Sequence, residues 1–543
     1  MKFIVIDGYV DEPTCLGVPP YISTYVRYTA GAARLGGASS VGYITIDELR
    51  NSDYLLKNGK TFFDAAAIIA GTPVPGKYLG GIPLRLNEIE KIAQRNRKTL
   101  FLVGGPIRFS SDRPQMPNII NIRLDIESYV YRFISGASSI EKLRTPEEVE
   151  KFSTAGAFIV QFHPRYPDII AEIETGRGCP RKTHCSFCIE GSYEVMCRSP
   201  EGVIREISEL RKEGVLHFRL GKQADLYSFG SRLKEWVNGF PKPDTGSVLK
   251  LYEGIRNAVP DLKTLHLDNV NPGTISNFPD ESAIISNIIA KFNTPGDVAA
   301  LGMESADPAV IERNCLKAFP EEVMKAIEII NSAGGSMGKE ISKLLPGVNL
   351  IRGLPGETRE TFKMNYEFLL KVLDSGLILR RINIRQLRLS SGTGISRMHS
   401  FKDKNERMLD AAFRNYRGKI RRDVDMPMIK KVFPPGTIIP DAIVEMERGD
   451  WSIARPIGTY PIAVNIPEKL PILKKISVFV VGFRERSLIG LPYPFYLKDA
   501  THQELRQIPG LSKKAGELMA KKKILKTDLN SSPIFKKIKD FIR

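Results

Sequence analysis

From Lys2 to about residue 400 the chain alternates short apolar runs with segments of helical spacing, and that alternation restricts the possible folds more than any other feature. In the first 140 residues, KFIVID, SSVGYITI, AAAIIAG and TLFLVGG read as strands, each closing on glycine or a polar turn. YISTYVRYTAGAARLG and LNEIEKIAQRNRK read as helices between them. Strands alternating with helices argue a doubly wound parallel sheet whose ligand crevice lies at the carboxyl ends of the strands. Residues 1–150 are therefore expected to form a Rossmann-like domain. No G-x-G-x-x-G follows the first strand, so a dinucleotide site is not expected there.

After the polar stretch EKLRTPEEVEKF the alternation resumes. LHFRL, TLHLDNV, VAALGME, VNLIRG and INIRQLRLS are strand candidates, separated by amphipathic helices such as PEGVIREISELRKEG and PEEVMKAIEIINSAG. Repeated βα units of this length predict a full or partial (β/α) TIM-type barrel over residues 165–425, with chemistry at the carboxyl ends of its strands. Near Met426 the texture changes to short alternating strands with Gly/Pro turns, the pattern of a small OB-like β-barrel over residues 430–495. Residues 500–543 read as a helical, basic hairpin. Overall the expectation is an α/β chain of four domains, consistent with its 543 residues.

Three of only 6 cysteines fall within ten positions, as Cys179-x5-Cys185-x2-Cys188 in the stretch GCPRKTHCSFC. Clustering in a cysteine-poor chain points to a metal in a reducing cytoplasm. Three ligands are one short of a closed zinc site, for which Cys197 could be the fourth. They equally suit a [4Fe–4S] cluster held by three thiolates, with one iron left for a substrate. Spacing alone leaves both open.

The residues around the cysteines resemble the radical S-adenosylmethionine superfamily, whose usual motif is C-x3-C-x2-C with an aromatic before the last cysteine. Phe187 holds that place; the departure is the first gap, five residues instead of three. RLGKQADL, LDNVNP, LGMESADPAVIERN, LIRGLPGETRETF and LSSGTG follow in the order that the resemblance leads one to expect. The resemblance implies that Cys179, Cys185 and Cys188 hold the cluster. It also implies that Phe187, Gly221, Gln223, Asp268, Glu304, Ser305, Gly353 and Glu357 surround S-adenosylmethionine. The implied chemistry is one-electron cleavage of the cofactor to methionine and a 5′-deoxyadenosyl radical, which abstracts a hydrogen atom from an unreactive C–H. The electron would come from a low-potential donor such as ferredoxin or flavodoxin. His184 reads as a loop-stabilising or solvent-facing residue, and Cys197 and Cys315 as buried thiols.

The N-terminal sheet resembles the cobalamin-binding-type domain found ahead of many such barrels, with LFLVGGPIR as the matching strand end. The D-x-H-x-x-G signature is absent and the first 162 residues hold no histidine, so cobalamin stays open without a motif for its ligand. Residues 430–495 resemble a TRAM-type barrel, with Arg448, Trp451, Arg455 and Tyr460 as candidate RNA contacts. LRQIPGLSKKAGELM resembles a helix-hairpin-helix, which makes Gly510, Ser512, Lys513 and Lys514 candidate phosphate contacts. A net charge of +18, with eleven Lys/Arg against three Asp/Glu from Leu505 to Arg543, favours a polyanionic partner.

These features together predict a cytoplasmic radical enzyme that modifies RNA, tRNA first. The rivals are a radical enzyme acting on a small molecule, lipid or protein, and a non-catalytic metal-containing nucleic-acid-binding protein. MKFIVIDGYV reads as a first strand and not as a signal peptide, and no apolar run approaches the ~20 residues needed to span a bilayer, so no membrane association is expected.

Overall fold

The computed structural model describes residues 1–10, 18–52, 56–57, 60–61, 63–71, 79–138, 140–231, 233–335, 340–395, 406–496 and 499–508. The chain divides into two compact units, one made of residues 1–269 with 388–399, the other of 270–387 with 400–543.

The first unit carries two parallel sheets. One has the order Ser40–Thr45, Lys2–Asp7, Ala65–Ile69, Leu100–Gly104, Ile119–Asn121. Its three inner strands are nearly continuous apolar runs because both faces are covered, as in other doubly wound sheets. Phe3, Ile4, Val5 and Ile6 are fully buried, and so are Ala66, Ala67 and Ile68. Ser23 caps the Thr24–Leu35 helix through the Val26 N–H, and Thr145 and Glu148 form a capping box on Pro146–Ala155. These two helices pack so closely that a Cβ on Gly31 would lie 2.1 Å from the Phe152 carbonyl oxygen.

The second sheet of this unit has the order Thr264–Leu267, His217–Gly221, Ile170–Glu174, Tyr21–Ile22. Its edge strand comes from the N-terminal segment, Tyr21 and Ile22 pairing in parallel with Ile170 and Ala171. The helix Pro200–Lys212, capped by Ser199, leads from the first βα turn into the His217–Gly221 strand.

The second unit contains the parallel strands Val298–Glu304, Leu345–Arg352 and Arg381–Gln386, with helices Pro320–Gly334 and Arg359–Asp374 between them. It also contains a closed five-stranded barrel of Ile438–Arg448, Trp451–Arg455, Ala463–Ile466, Ser487–Pro492 and Lys475–Arg484. Val444, Ala454, Val464, Val478, Val480 and Leu488 fill its interior. Register shifts between Val444 and Met446 and between Val480 and Gly482 supply the bulges that let so short a sheet close. Among the described residues, no helix is long and apolar enough to cross a membrane.

Candidate functional site

The Ile170–Glu174 strand runs into a short antiparallel pair, Gly176–Arg177 with Met196–Cys197, and the chain between them is the cysteine loop. Gly178 turns the chain into it at φ +84, where a Cβ would stand 2.8 Å from the Glu194 carbonyl oxygen; glycine alone fits. The Glu190 carboxylate accepts the Gly178 N–H at 2.9 Å and the Glu190 carbonyl accepts the Cys179 N–H at 3.1 Å. The Cys188 N–H donates to the Cys185 carbonyl at 3.1 Å, which makes the C-x2-C half a turn. His184 Nε2 lies 3.2 Å from the Cys179 carbonyl, the loop-stabilising role expected of it. Cys179 and Cys185 are buried, and Cys188 and Phe187 are half-buried.

LSSGTG closes over this loop. The Ile395 N–H donates to the Ser186 carbonyl at 2.8 Å, and Ser192 Oγ donates to the Gly392 carbonyl at 3.3 Å. The N-terminal sheet grips it from the other side. Asp125 binds Arg177 through both carboxylate oxygens, at 2.8 and 3.0 Å, and also accepts from Arg108 at 2.8 Å. The Tyr193 ring meets Phe109 edge-on, with Arg108 and Arg177 over its face at 5.0 and 4.8 Å. Arg144 joins Glu127 of the N-terminal sheet domain to Glu174 at the end of the Ile170–Glu174 strand.

The next strand ends at Gly221, where a Cβ would come 3.0 Å from Glu172 Oε1. Gln223 follows, buried, its Nε2 donating to the Leu220 carbonyl at 3.3 Å. Two buried oxygens at these strand ends, Thr175 Oγ1 and Gln223 Oε1, have no hydrogen-bond partner among the described residues. An unmatched buried polar atom costs about 1–3 kcal/mol; a ligand ammonium can donate to both oxygens, whereas a ligand carboxylate can only accept from the Thr175 hydroxyl. Asp268 follows the Thr264–Leu267 strand of this sheet. It is buried in the sheet and ion-paired to Arg219 at 2.6 Å, while Arg219 also reaches Glu172 at 3.1 Å.

In the second unit the Val298–Glu304 strand ends on Glu304 at φ +67, and a Cβ on Gly302 would lie 2.7 Å from its Oε1 and 2.5 Å from Lys317 Nζ. Burial pushes the Glu304 carboxyl up, partly offset by Lys317 and Arg385. Ser305 is fully buried, with its Oγ accepting from the Asp307 N–H at 3.2 Å. In the GLPGET turn Gly353 stands at φ +95 and donates its N–H to Glu357 Oε2 at 2.7 Å. Burial pushes the Glu357 carboxyl up to about 7, against the lowering pull of that N–H and of Arg352.

Several expectations need correcting. Cys197 and Cys315 are exposed, not buried. The Cys197 thiol accepts from the Gly230 N–H at 3.3 Å, so it turns toward that loop. Among the described residues no three His, Cys, Asp or Glu side chains converge on one ion position. A closed zinc site needs four ligands around a single ion, whereas a cluster takes each thiolate on a different iron. Three thiolates on one loop fit a cluster that leaves one iron open. On the small barrel, Arg455 is ion-paired with Glu445 at 2.5 Å and Tyr460 is buried, with Arg381 over its ring at 4.2 Å. Trp451 is half-buried under Arg484 at 4.7 Å, and Arg448 is exposed. Gly510, Ser512, Lys513 and Lys514 lie outside the described residues, and so does Cys15.

For cobalamin the residues supply no imidazole from the N-terminal domain. His163, the first histidine in the chain, is buried; desolvation and Arg165 push its pKa down to about 3, and its Nδ1 accepts the Arg165 N–H at 3.1 Å. Leu84 crosses the strand ends, donating its N–H to the Gly8 carbonyl at 2.9 Å.

No family model matches the chain. A protein of Archaeoglobus fulgidus described as uncharacterized is 40% identical over 514 residues, covering 94% of this chain and 93% of the relative. An uncharacterized protein of Methanocaldococcus jannaschii is 39% identical over 515 residues, covering 90% and 93%. The chain belongs to their family. Among solved structures, the radical S-adenosylmethionine methyltransferase TsrM from Kitasatospora setae, with cobalamin and a [4Fe-4S] cluster bound, gives a TM-score of 0.45 at 15% identity, covering 73% of this chain and 74% of that one. The cobalamin-dependent S-adenosylmethionine radical enzyme OxsB gives 0.46 at 14%, covering 68% and 51%. Both scores fall short of 0.5, and the functional conclusion below stands on this family member's own residues.

Proposed function

We propose that this chain is a radical S-adenosylmethionine enzyme whose Cys179, Cys185 and Cys188 hold a [4Fe–4S] cluster, and that its substrate is RNA, tRNA first. One observation carries the first part: three thiols on a single pinned loop at the carboxyl end of a parallel strand, two of them buried. Burial suits a cluster of low potential, since exclusion of water is one of the terms that sets it. When bound, the reduced cluster supplies the electron that cleaves S-adenosylmethionine to a 5′-deoxyadenosyl radical.

The protein's part is to bind, orient and exclude water. Thr175 and Gln223 offer buried oxygens to the amino and carboxyl groups of the ligand. The Ser186–Ile395 hydrogen bond holds the segment after LSSGT against the loop. Glu304, Ser305, Gly353 and Glu357 belong to the second unit.

The RNA part rests on the +18 charge, the basic C-terminal segment and a closed small barrel presenting Arg448 and the Trp451–Arg484 stack. A small-molecule substrate is the second reading, favoured by the pairing of Arg455 with Glu445 and the burial of Tyr460, which take two candidate contacts off the RNA face. The test is 5′-deoxyadenosine formation by anaerobically reconstituted protein under dithionite, with and without total tRNA. Stimulation by tRNA is expected. Formation indifferent to tRNA would remove the RNA substrate and keep the radical chemistry.

A further inference from the structure

In the five-residue gap between Cys179 and Cys185, Arg181 reaches a cysteine sulfur. Arg181 Nη1 lies 3.3 Å from Cys185 Sγ, within reach of an N–H···S hydrogen bond, and Arg181 is buried at 9% exposure. Its position is built rather than accidental. The guanidinium stacks over Phe240 at 5.1 Å, and Phe240 belongs to the hairpin Trp236–Val237 with Phe240–Pro241. The same hairpin fixes the gap's backbone, because the Gly239 carbonyl accepts the Lys182 N–H at 3.0 Å. On the other side, His184 ties the gap to the Cys179 carbonyl.

A guanidinium cannot shed its proton, so it is a permanent cation with fixed donors. Burying it is costly unless an anion faces it. A thiolate ligand of an iron–sulfur cluster is such an anion, and it becomes more negative when the cluster takes an electron. Hydrogen bonds to the sulfurs and net charge both set a cluster's potential. From this geometry we infer that Arg181 tunes the cluster: its N–H bond to Cys185 Sγ favours the reduced state and raises the reduction potential. The inference rests on the cluster proposed above. Reduction adds one electron from an external donor, dithionite in the assay, and no bond forms or breaks in the step.

The experiment is a redox titration of the full-length reconstituted protein followed by electron paramagnetic resonance, comparing wild type with Arg181→Gln. At a fixed ambient potential near the wild-type midpoint, the variant is expected to show a reduced-to-oxidised ratio about tenfold lower. For a one-electron couple that is a midpoint lower by about 59 mV. Iron and sulfide content are measured on the same samples. An unchanged midpoint in a variant with full iron content overturns the role of Arg181 and leaves the cluster proposal standing. Wild-type protein that assembles no iron–sulfur cluster overturns both. A second measurement needs no variant: wild type labelled with 15N-arginine is expected to show a weak 15N coupling to the reduced cluster, and its absence overturns the inference even if Arg181→Gln fails to assemble.

Discussion

Asp125 is where the N-terminal sheet holds the cysteine loop, and its removal is the most informative perturbation of the fold. The carboxylate accepts four N–H bonds: two from Arg177, one from Arg108 at 2.8 Å and one from the Arg144 backbone at 3.0 Å. Burial by itself would push its carboxyl up. Arg144, Arg177 and Arg108 outweigh burial and hold it well below the usual carboxylate range. Asp125→Ala removes both acceptor oxygens and all four bonds, and leaves Arg108 and Arg177, 8% and 14% exposed, side by side without it. Breaking a buried pair from one side costs about 3–5 kcal/mol, against ~0–1 kcal/mol for an exposed pair. The lower end, about 3 kcal/mol, is expected here because both guanidiniums keep their stacking on Tyr193. The assay follows from the sequence. The chain has 2 tryptophans, Trp236 in the first unit and Trp451 in the second, so a Trp451→Phe background makes fluorescence in urea report on the first unit alone. Because the folded carboxyl is depressed, its stabilisation is present above about pH 4 and is lost as pH falls toward the folded value. The difference from Asp125→Asn should shrink accordingly in acid. A loss under ~1 kcal/mol at pH 7 would mean that Asp125 acts as a surface pair does, and the grip on the loop would be refuted.

Other expectations test separate parts of the account. Gly178→Ala forces a side chain into a left-handed turn against the Glu194 carbonyl, and should lower iron content after reconstitution; content equal to wild type would show that the turn is dispensable. Asp7 is raised by burial to about 6, against the lowering pull of the Tyr9 N–H and the Tyr43 hydroxyl. A raised carboxyl destabilises progressively as pH climbs from about 4 to about 6, so wild type should gain about 2.5 kcal/mol on Asp7→Asn when the pH falls from 7.5 to 4, read by urea denaturation at each pH. If the basic segment binds RNA phosphates, Lys513→Gln with Lys514→Gln should weaken tRNA binding and reduce the slope of log affinity against log salt by about 1.4–1.8; an unchanged slope removes these lysines from the interface.

The strands were legible because each is a continuous apolar run. KFIVID, AAAIIAG and VAALGME map onto Lys2–Asp7, Ala65–Ile69 and Val298–Glu304, and the alternating pattern after Met426 maps onto the closed barrel. The edge strand Tyr21–Ile22 was not legible, since two residues carry no period and their partner lies at Ile170, far along the chain. Ion pairs such as Arg144 with Glu174 were hidden for the same reason: a charge in sequence reads as surface until the fold shows what faces it. The loop that carries the cysteines could be read from spacing alone. Arg181 could not, although its place inside the lengthened gap was the signal, because nothing in the spacing says that a hairpin 55 or more residues later turns it onto Cys185. Cys197 and Cys315 were misjudged by the general tendency of thiols to be buried.

The central claim is a cluster on three thiolates with one iron open to S-adenosylmethionine. The measurement that tests it most directly is iron content together with the electron paramagnetic resonance of the dithionite-reduced, anaerobically reconstituted protein, before and after S-adenosylmethionine is added. The account predicts about four irons per chain and a signal that changes on addition of S-adenosylmethionine, both lost in Cys185→Ala. Protein that binds zinc stoichiometrically and no iron, or a cluster signal indifferent to S-adenosylmethionine, would contradict it.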